Sequence, residues 1–255
     1  MKNSLIILAH QDDEIAIYPQ IKRLIEHKHR VWVAYLTTGT LDASHSVERT
    51  GESIKNLLAL GVNECQIRFL GDDYAIADKT LCRNLELAAD GLLQLAKRIG
   101  VLSDIYTLAW EGGHPDHDAA HLVGVFLALQ LQLLDNCYQF SLYNGADLAW
   151  FRRVRLFYPL RENGRIQSYR IAWHMRYVGL KLTLGYNSQK KVLVWLFPLL
   201  LYHYVFDGRQ HLQGVSLKRL LQKPHELHLR YEQNKFYSYL QFRHEVDGFV
   251  AKYFG

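Results

Sequence analysis

Short apolar runs alternate with longer amphipathic stretches over the first 145 residues. The apolar runs are rich in β-branched and aromatic residues, which predicts strands at residues 5–9, 30–37, 66–71, 104–110 and 138–144. The stretches between them space their apolar residues as an α-helix does, at residues 14–28, 46–62, 83–100 and 116–134. Strands that alternate with helices pair in parallel, so we expect an α/β fold with a doubly wound, mostly parallel sheet and helices on both faces.

The pattern changes after Asn144. Arginines recur among aromatic residues in the next part of the chain, at Arg152, Arg153, Arg155, Arg161, Arg165, Arg170 and Arg176. Residues 192–206 are almost wholly apolar, but this run is shorter than the ~20 residues of a membrane-spanning helix, and Pro198 interrupts it. We expect the run to be a buried helix under the sheet, with contact at a membrane interface as the alternative. Residues 216–255 are basic and aromatic at roughly helical spacing, which predicts a helical, aromatic C-terminal extension.

Composition narrows the class of protein. The 255 residues are 49% hydrophobic, enough for a large core, and the net charge of +5 is basic without being extreme. Cys65, Cys82 and Cys137 form no CxxC motif, which is typical of a reducing compartment. No signal peptide is recognisable, so we expect a cytoplasmic protein, with peripheral membrane contact as an extension of that view. Dinucleotide and P-loop motifs are absent, and no motif indicates a nucleic-acid partner.

Two polar clusters follow predicted strands. "HQDDE" (10–14) comes after the first strand and "EGGHPDH" (111–117) after the fourth. In doubly wound sheets ligands bind at the carboxyl ends of the strands, so we expect the two clusters to form one site. A hydrolytic zinc site needs about three protein ligands and one open position. His10 and Asp13 lie three residues apart on one turn, and His117 can supply the third ligand.

The remaining polar residues of the clusters suit the chemistry of hydrolysis. Asp12 can take the proton of the attacking water, and a protonated His114 can stabilise an oxyanion and donate to a leaving amine. Asp116 can orient His114 or raise its pKa. Helix capping by Asp12 and Asp116 is the purely structural interpretation of either cluster taken alone. His121 can replace one ligand, although a packed histidine is favoured there.

These motifs resemble a known family. "AHQDDE" together with "HPDH" resembles the PIG-L/LmbE family of zinc-dependent N-acetylglucosamine deacetylases. Supporting segments are "LTTG" (36–39), "RTGESIKNLLALGV" (49–62), "FLGDD" (69–73) and, more loosely, "KLTLGYNSQ" (181–189). The resemblance covers residues 4–125 well. It implies a Rossmann-like fold and metal-dependent hydrolysis of an N-acetyl group on a sugar.

The resemblance also implies roles for individual residues. His10, Asp13 and His117 look like the metal ligands, Asp12 like the general base and His114 like the oxyanion-stabilising acid. Arg49 is similar to a family residue that contacts substrate.

The sequence departs from the family pattern at two places. Gln11 replaces the usual proline and adds an amide that we expect to reach substrate or a neighbouring loop. Gly112 and Gly113 precede "HPDH" where some members carry a tyrosine.

We therefore predict a metal-dependent hydrolase that removes acetyl from an N-acetylated amino sugar in glycoconjugate or cell-surface polysaccharide synthesis. The cofactor is Zn²⁺, with Fe²⁺ as the alternative, and the sugar is free or linked to a nucleotide, lipid or glycan. Residues 1–190 form the PIG-L/LmbE-like domain, with a substrate loop at about 145–180, and 191–255 pack on it as an extension. Two alternatives stay open: a zinc hydrolase of another amide or ester, and a non-catalytic sugar-binding module.

Overall fold

One seven-stranded sheet forms the centre of the molecule. The computed structural model describes residues 1–40, 43–146, 155–235 and 237–255. The strands run in the order β3-β2-β1-β4-β5-β9-β8, and β6 and β7 form a separate pair. Their bounds are β1 Asn3–Leu8, β2 Arg30–Tyr35, β3 Ile67–Phe69, β4 Leu102–Leu108, β5 Cys137–Phe140, β6 Tyr143–Asn144, β7 Arg155–Leu156, β8 Ile166–Arg170 and β9 Arg209–Gly214.

The first five strands pair in parallel, which confirms the Rossmann-like, doubly wound sheet. Strand β1 lies between β2 and β4 and is fully buried from Ser4 to Leu8; Ile6, for example, is level with Val33 on one side and Tyr106 on the other. The chain runs outward from β1 in both directions, so the topological switch point lies at the carboxyl ends of β1 and β4. Ligands bind at that point in open α/β sheets.

Helices cover the sheet in two packed groups, α4–α5–α10 and α1–α2–α6. Their bounds are α1 Tyr18–Glu26, α2 Ala43–Leu60, α3 Leu70–Asp73, α4 Leu85–Ile99, α5 Pro115–Gln130, α6 Trp173–Leu184, α7 Lys190–Tyr202, α8 Leu217–Leu220, α9 Arg230–Gln233 and α10 Tyr239–Phe254. Every residue of α5 from Pro115 to Ala128 is buried. The C-terminal helix α10 closes over α5, where Tyr253 packs edge-on against Phe126 with ring centroids 4.5 Å apart.

The second half of the chain is part of this sheet. Strands β8 and β9 pair antiparallel, and β9 joins the sheet beside β5. The segment expected to pack on the domain as an extension therefore supplies a strand to it, and the boundary at residue 190 stays a prediction. Arg152 and Arg153 of the predicted substrate loop lie outside the described residues.

The expectation that residues 192–206 form a buried helix is wrong. They form α7 and a π-helical turn at His203–Asp207, but only Leu193 and Leu200 of α7 are buried. Val194 is 74% exposed and Trp195 55% exposed. Within the described ranges, the search for a helix of sufficient length and apolarity to cross a membrane finds none.

Candidate active site

The turn after β1 is fixed by one of its own carboxylates. Asp13 Oδ2 accepts hydrogen bonds from the backbone N–H groups of Ala9 (3.1 Å) and His10 (2.7 Å). Residues Asp13–Ala16 then form a short 3₁₀ helix. This compact turn holds His10 and Asp13 at the switch point of the sheet.

The second cluster lies at the start of α5, directly after β4. His114 is the N-cap residue of α5, and its Nδ1 accepts a hydrogen bond from the backbone N–H of Asp116 at 3.2 Å. His117 lies one turn further along, and its Nε2 is 3.1 Å from Asp13 Oδ1. The structure therefore brings the two polar clusters of the sequence together in one place.

The carboxylate of Asp13 contacts both of the other predicted ligands, His10 and His117, although Asp13 is in neither group of donor atoms that lie within 4.8 Å of one another. Asp13 directs Oδ1 at His117 Nε2 (3.1 Å) and Oδ2 at His10 Nδ1 (3.5 Å). Two ligand atoms of a tetrahedral zinc ion lie about 3.3 Å apart, since each zinc–ligand distance is about 2.0–2.2 Å. His117 Nδ1 is buried without a hydrogen-bond partner among the described residues, so the contact of Nε2 with Asp13 is the polar contact that orients this ring. The ligand assignment stays a prediction that these contacts support.

Asp78 is a site residue that the sequence analysis missed. Its Oδ1 lies 3.1 Å from His10 Nε2, at the same distance as Asp116 Oδ2. Carboxylates that hold one nitrogen of a ligating histidine fix its tautomer and leave the other nitrogen for the metal. Asp78 and Asp116 therefore leave His10 Nδ1 facing Asp13. Asp78 and His114 also belong to overlapping donor groups, His10–His114–His117 and His10–Asp78–His114–Asp116, whose donor atoms lie within 4.8 Å of one another.

Opposite charges control the ionisation of these buried groups. Burial opposes protonation of His10, but Asp13 and the hydrogen bond to Asp116 outweigh it and raise the pKa of His10 well above its ordinary value. Burial likewise opposes ionisation of Asp13, but His117 and His10 hold the pKa of Asp13 well below its ordinary value. The buried turn thus keeps a carboxylate beside two imidazoles.

The carboxylate of Asp116 does not contact the ring of His114. Its Oδ2 accepts from the backbone N–H of Lys79 (2.6 Å), its Oδ1 accepts from that of Leu81 (3.1 Å), and the remaining contact is with His10. Asp116 therefore anchors the loop that carries Asp78 and positions His10. Its contact with His114 is made through its backbone N–H, which orients the ring, while the charge of Asp116 raises the pKa of His114 against the larger lowering effect of burial.

Asp12 is the accessible carboxylate of the turn. Its side chain is 24% exposed, whereas Asp13 and Glu14 are buried. Asp12 has a left-handed backbone conformation with φ +100°, which is uncommon outside glycine and is typical of functional sites. Burial raises the pKa of Asp12 to about 6, against the opposing charge of Arg49.

Arg49 holds the carboxylate of Asp12 rather than facing open space. Its Nη2 lies 3.1 Å from Asp12 Oδ2 and donates to the carbonyl of Gln11 at 2.6 Å. Its Nη1 donates to the carbonyl of Gly39. The predicted substrate contact of Arg49 stays a prediction. The described bonds make Arg49 a positioning residue for Asp12.

Gln11 is completely buried, so the structure gives no support to a substrate contact by its amide. Its Nε2 lies 3.5 Å from Thr50 Oγ1, and its Oε1 packs against Gly39. Gly39 has φ +68°, and a Cβ there would collide with the amide. Glutamine therefore fills space between the turn and the loop after β2, which is the second of the two roles expected from the sequence.

His114 is a neutral imidazole in this arrangement. A backbone N–H can only donate, so the bond from Asp116 places the lone pair on His114 Nδ1 and the proton on Nε2. Burial and the neighbouring His10 lower the pKa of His114 to about 3. The expected protonated imidazole is thus replaced by a neutral ring that donates from Nε2.

Glu14 connects the turn to the second half of the chain. Its Oε2 accepts from the backbone N–H of Asp12 at 2.9 Å, and its Oε1 accepts from the hydroxyl of Tyr186. Tyr186 also bonds Ser53 at 2.9 Å, and Glu52 accepts from the backbone N–H and hydroxyl of Ser188. The loosely matching segment 181–189 therefore packs directly behind the turn of Asp12.

Tyr143 fills the place next to "HPDH" that the two glycines leave open. Its ring lies 5.4 Å from that of His117, and a Cβ on Gly113 would meet the ring at 3.2 Å. Buried Glu111 fixes this strand by accepting the backbone N–H groups of Leu142 (2.8 Å) and Tyr143 (2.9 Å). No motif indicates that a residue 30 positions further along the chain takes this place.

A buried histidine–aspartate donor set with one accessible carboxylate beside it is the arrangement of metal-dependent hydrolases. Comparison with models of protein families indicates which metal-dependent hydrolases this chain resembles. The model described as GlcNAc-PI de-N-acetylase (PIG-L) matches residues 5–127, so this part of the chain is similar to that family. A search of curated proteins finds no significant match.

Solved structures with the same fold include three enzymes. The zinc-inhibited form of teicoplanin deacetylase Orf2 is 15% identical with a TM-score of 0.62, covering 84% of this chain and 99% of its own. N,N'-diacetylchitobiose deacetylase from Pyrococcus horikoshii is 20% identical with a TM-score of 0.59, covering 84% and 83%. The 4-carboxy-2-hydroxymuconate hydratase from Pseudomonas putida is 16% identical with a TM-score of 0.50, covering 85% and 97%. At these identities the likeness establishes the fold alone.

Proposed function

We propose that the chain is a metal-dependent hydrolase that removes the acetyl group from an N-acetylated amino sugar. The observation that carries the proposal is the position of Asp12. It is the accessible carboxylate of a turn whose other acidic side chains are buried, and it lies beside the donor set His10, Asp13 and His117. The named activities of the two deacetylases with this fold point to sugar substrates.

The reaction follows from the protons on these residues. Asp12 accepts a proton from the attacking water as its oxygen bonds to the acetyl carbon. The Nε2–H of neutral His114 donates to the developing oxyanion. Because His114 has a single ring proton, which the oxyanion needs, Asp12 returns its proton to the leaving nitrogen as the C–N bond breaks. The products are acetate and the free amino sugar.

His10, Asp13 and His117 would hold the metal. When bound, a divalent ion acts as a Lewis acid that activates water and polarises the carbonyl. Arg49 keeps the carboxylate of Asp12 in place through the 3.1 Å ion pair. Zn²⁺ is our first choice because histidine and aspartate are suitable zinc ligands, and Fe²⁺ is the alternative because one deacetylase of this fold is described in a zinc-inhibited form.

We extend the proposal to the setting of the reaction. The sugar is N-acetylglucosamine or a relative, attached to a phosphate, lipid or glycan carrier during glycoconjugate or cell-surface polysaccharide synthesis. Four arginines that line one cavity in the second half support an anionic carrier. The three cysteines are all unpaired, which supports a cytoplasmic location.

Acetate release tests the proposal. Purified protein loaded separately with Zn²⁺ and Fe²⁺ is offered N-acetylglucosamine, N,N'-diacetylchitobiose and a nucleotide-linked N-acetylglucosamine. Asp12→Asn keeps the shape and a contact with Arg49 but cannot take a proton, so turnover should fall at least 100-fold while metal content stays unchanged. Asp73→Asn, at an exposed carboxylate, serves as the matched control.

Two outcomes would contradict it. Metal-loaded protein that releases no acetate from any amino sugar, but hydrolyses another amide or an ester, would favour the alternative hydrolase. Metal-loaded protein that binds these sugars without turnover would favour the sugar-binding module. Unchanged turnover in Asp12→Asn would remove Asp12 as the base.

A further inference from the structure

Helices α6 and α7 and the π-helical turn present an unusually apolar surface. The described residues include 19 large hydrophobic side chains that are exposed, and ten of them lie between positions 173 and 206. These ten are Trp173, Tyr177, Leu184, Val192, Val194, Trp195, Leu201, Tyr202, Val205 and Phe206. Single exposed hydrophobic residues are common, but a concentration of this kind marks a binding surface.

The apolar residues of α7 lie on one side of the helix. Leu193 and Leu200, seven residues apart, face the protein and are buried. Val194, Leu201 and Pro198 repeat at helical spacing on the exposed side. Such a helix keeps a narrow seam against its own domain and offers a wide apolar face outward.

This surface is also strongly basic. Residues 155–215 contain nine lysines and arginines and two carboxylates, a net charge of +7, whereas the whole chain has +5. The rest of the molecule is therefore slightly acidic. One of the two carboxylates, Asp207, is already paired with His203 (3.2 Å) and His211 (3.4 Å).

Two arginines of this surface face each other without a counter-ion. Arg170 and Arg209 are register partners on β8 and β9, and like charges directly opposite on neighbouring strands are destabilising. No ion pair of either arginine occurs within the described part of the chain. Both line a cavity of about 670 Å³ together with Arg155, Trp173, Tyr202 and Phe206. The cavity thus joins cationic groups to the exposed aromatic residues.

We propose that the surface formed by residues 155–215 docks on a membrane that contains anionic phospholipids. The exposed residues of α7 and the π-helical turn enter the boundary between headgroups and acyl chains, and the arginine-lined cavity takes a headgroup phosphate. Tryptophan and phenylalanine with flanking lysines and arginines are the composition of helices that lie in this boundary. The surface is far more basic than the rest of the chain, which favours an anionic bilayer over a second copy of the same basic surface.

The surface lies close to the candidate active site. Arg155 pairs with Asn144 in the β6–β7 ladder, next to Tyr143, whose ring contacts His117. Tyr186, which supports the turn of Asp12 through Glu14, follows α6 directly. Docking would therefore bring the site to the bilayer surface, where a lipid-linked sugar is presented.

Co-sedimentation with vesicles tests the proposal without using enzymatic activity. The full chain is mixed with vesicles of phosphatidylcholine alone and of phosphatidylcholine with 30% phosphatidylglycerol. We expect binding to the anionic vesicles that weakens as salt rises. The double variant Arg170→Gln/Arg209→Gln should bind roughly 30-fold more weakly, since each basic residue near an anionic surface contributes about 5-fold.

A second variant separates the apolar contribution. Val194→Ser/Trp195→Ser should lower binding at least tenfold, and both substitutions lie at exposed positions that leave the core intact. Lys97→Gln/Arg98→Gln, two exposed cations at the end of α4, is the matched control and should bind as the parent chain does. Thermal unfolding of every variant checks that each is folded.

Three results would overturn the proposal. The first is absence of binding to the anionic vesicles, and the second is equal binding to both kinds of vesicle. The third is a concentration-dependent dimer, in the absence of lipid, that Val194→Ser/Trp195→Ser dissociates, because a second copy would then be the occupant. None of these results depends on whether the chain releases acetate.

Discussion

The contact between Gly113 and Tyr143 gives a sharp test of how the site is built. A Cβ on Gly113 would lie closer than 3.0 Å to the carbonyl oxygen of Tyr143, a separation that real Cβ atoms essentially never show, and 3.2 Å from two of its ring carbons. The closest obstacle is backbone, so a small side-chain rotation cannot relieve it. In Gly113→Ala, β6 must move by several tenths of an ångström or more, and overpacking of this kind costs about 1–3 kcal/mol.

This movement of β6 would disturb the candidate active site. Tyr143 lies against His117, and a displacement near 1 Å in a site can lower turnover about 100-fold. We expect Gly113→Ala to lower the melting temperature by about 2–12 °C, taking about 2–4 °C for each of the 1–3 kcal/mol, and to lower kcat at least tenfold. Calorimetry and acetate release measure the two effects.

A matched control comes from Gly248, which is exposed in α10 with no atom near its would-be Cβ. Gly248→Ala should raise stability by about 0.5–1 kcal/mol and leave kcat unchanged, because alanine favours the helix. Wild-type stability and turnover in Gly113→Ala would refute the close approach of Tyr143. It would also remove Tyr143 as the wall of the site.

Three further predictions follow from buried groups. Tyr186→Phe removes the hydroxyl that donates to Glu14, so the free energy of unfolding measured in urea titrations should fall by about 1–3 kcal/mol, and kcat should fall as well. Unchanged values of both would show that Tyr186 and Glu14 do not form this hydrogen bond. His121 Nδ1 donates to the carbonyl of Leu108, and burial lowers the pKa of His121 to about 4. As the pH drops from 6.5 to 4, the histidine is therefore protonated in the unfolded chain before it is protonated in the folded chain. The free energy of unfolding falls over that interval. The parent chain should lose about 3 kcal/mol more than His121→Asn over that interval, and parallel stability curves would contradict it. Chelation should abolish acetate release and restoring the metal should recover it, whereas His117→Ala should lower metal content itself; full metal content in that variant would exclude His117 as a ligand.

The first half of the fold was predictable because its strands are buried on both faces. β1 reads as an unbroken apolar run from Leu5 to Ala9, and the helices that follow show clear helical spacing. Strands β8 and β9 were not predicted, because they are antiparallel strands with polar sequences, "IQSYR" and "RQHLQG". No apolar alternation marks them, and their place in the sheet depends on pairing across 40 residues.

The same distinction applies to the site. His10, Asp12, Asp13, His114 and His117 are adjacent in sequence within each cluster, so motif spacing brings them to one sheet edge. Asp78 and Tyr143 reach the site from loops and short strands with no motif of their own. Residues 192–206 were expected to be buried because apolar residues of a protein in water are mostly inside, and an exposed apolar helix such as α7 has the same sequence pattern.

The backbone of Asp12 explains why the second half of the chain is built into the first. A left-handed aspartate costs of the order of 1–3 kcal/mol and persists only where its surroundings fix it. Glu14 fixes it from one side by accepting the Asp12 N–H at 2.9 Å, and Arg49 from the other by pairing with its carboxylate at 3.1 Å. Glu14 is itself buried, and burial raises its pKa to about 7. The hydrogen bond from the Tyr186 hydroxyl opposes this rise and so favours the ionised carboxylate, which accepts the N–H of Asp12. The geometry of Asp12 therefore depends on a tyrosine 174 positions away, directly after the helix that carries part of the apolar surface. Any movement of α6 on docking would reach Asp12 through a single chain of two hydrogen bonds.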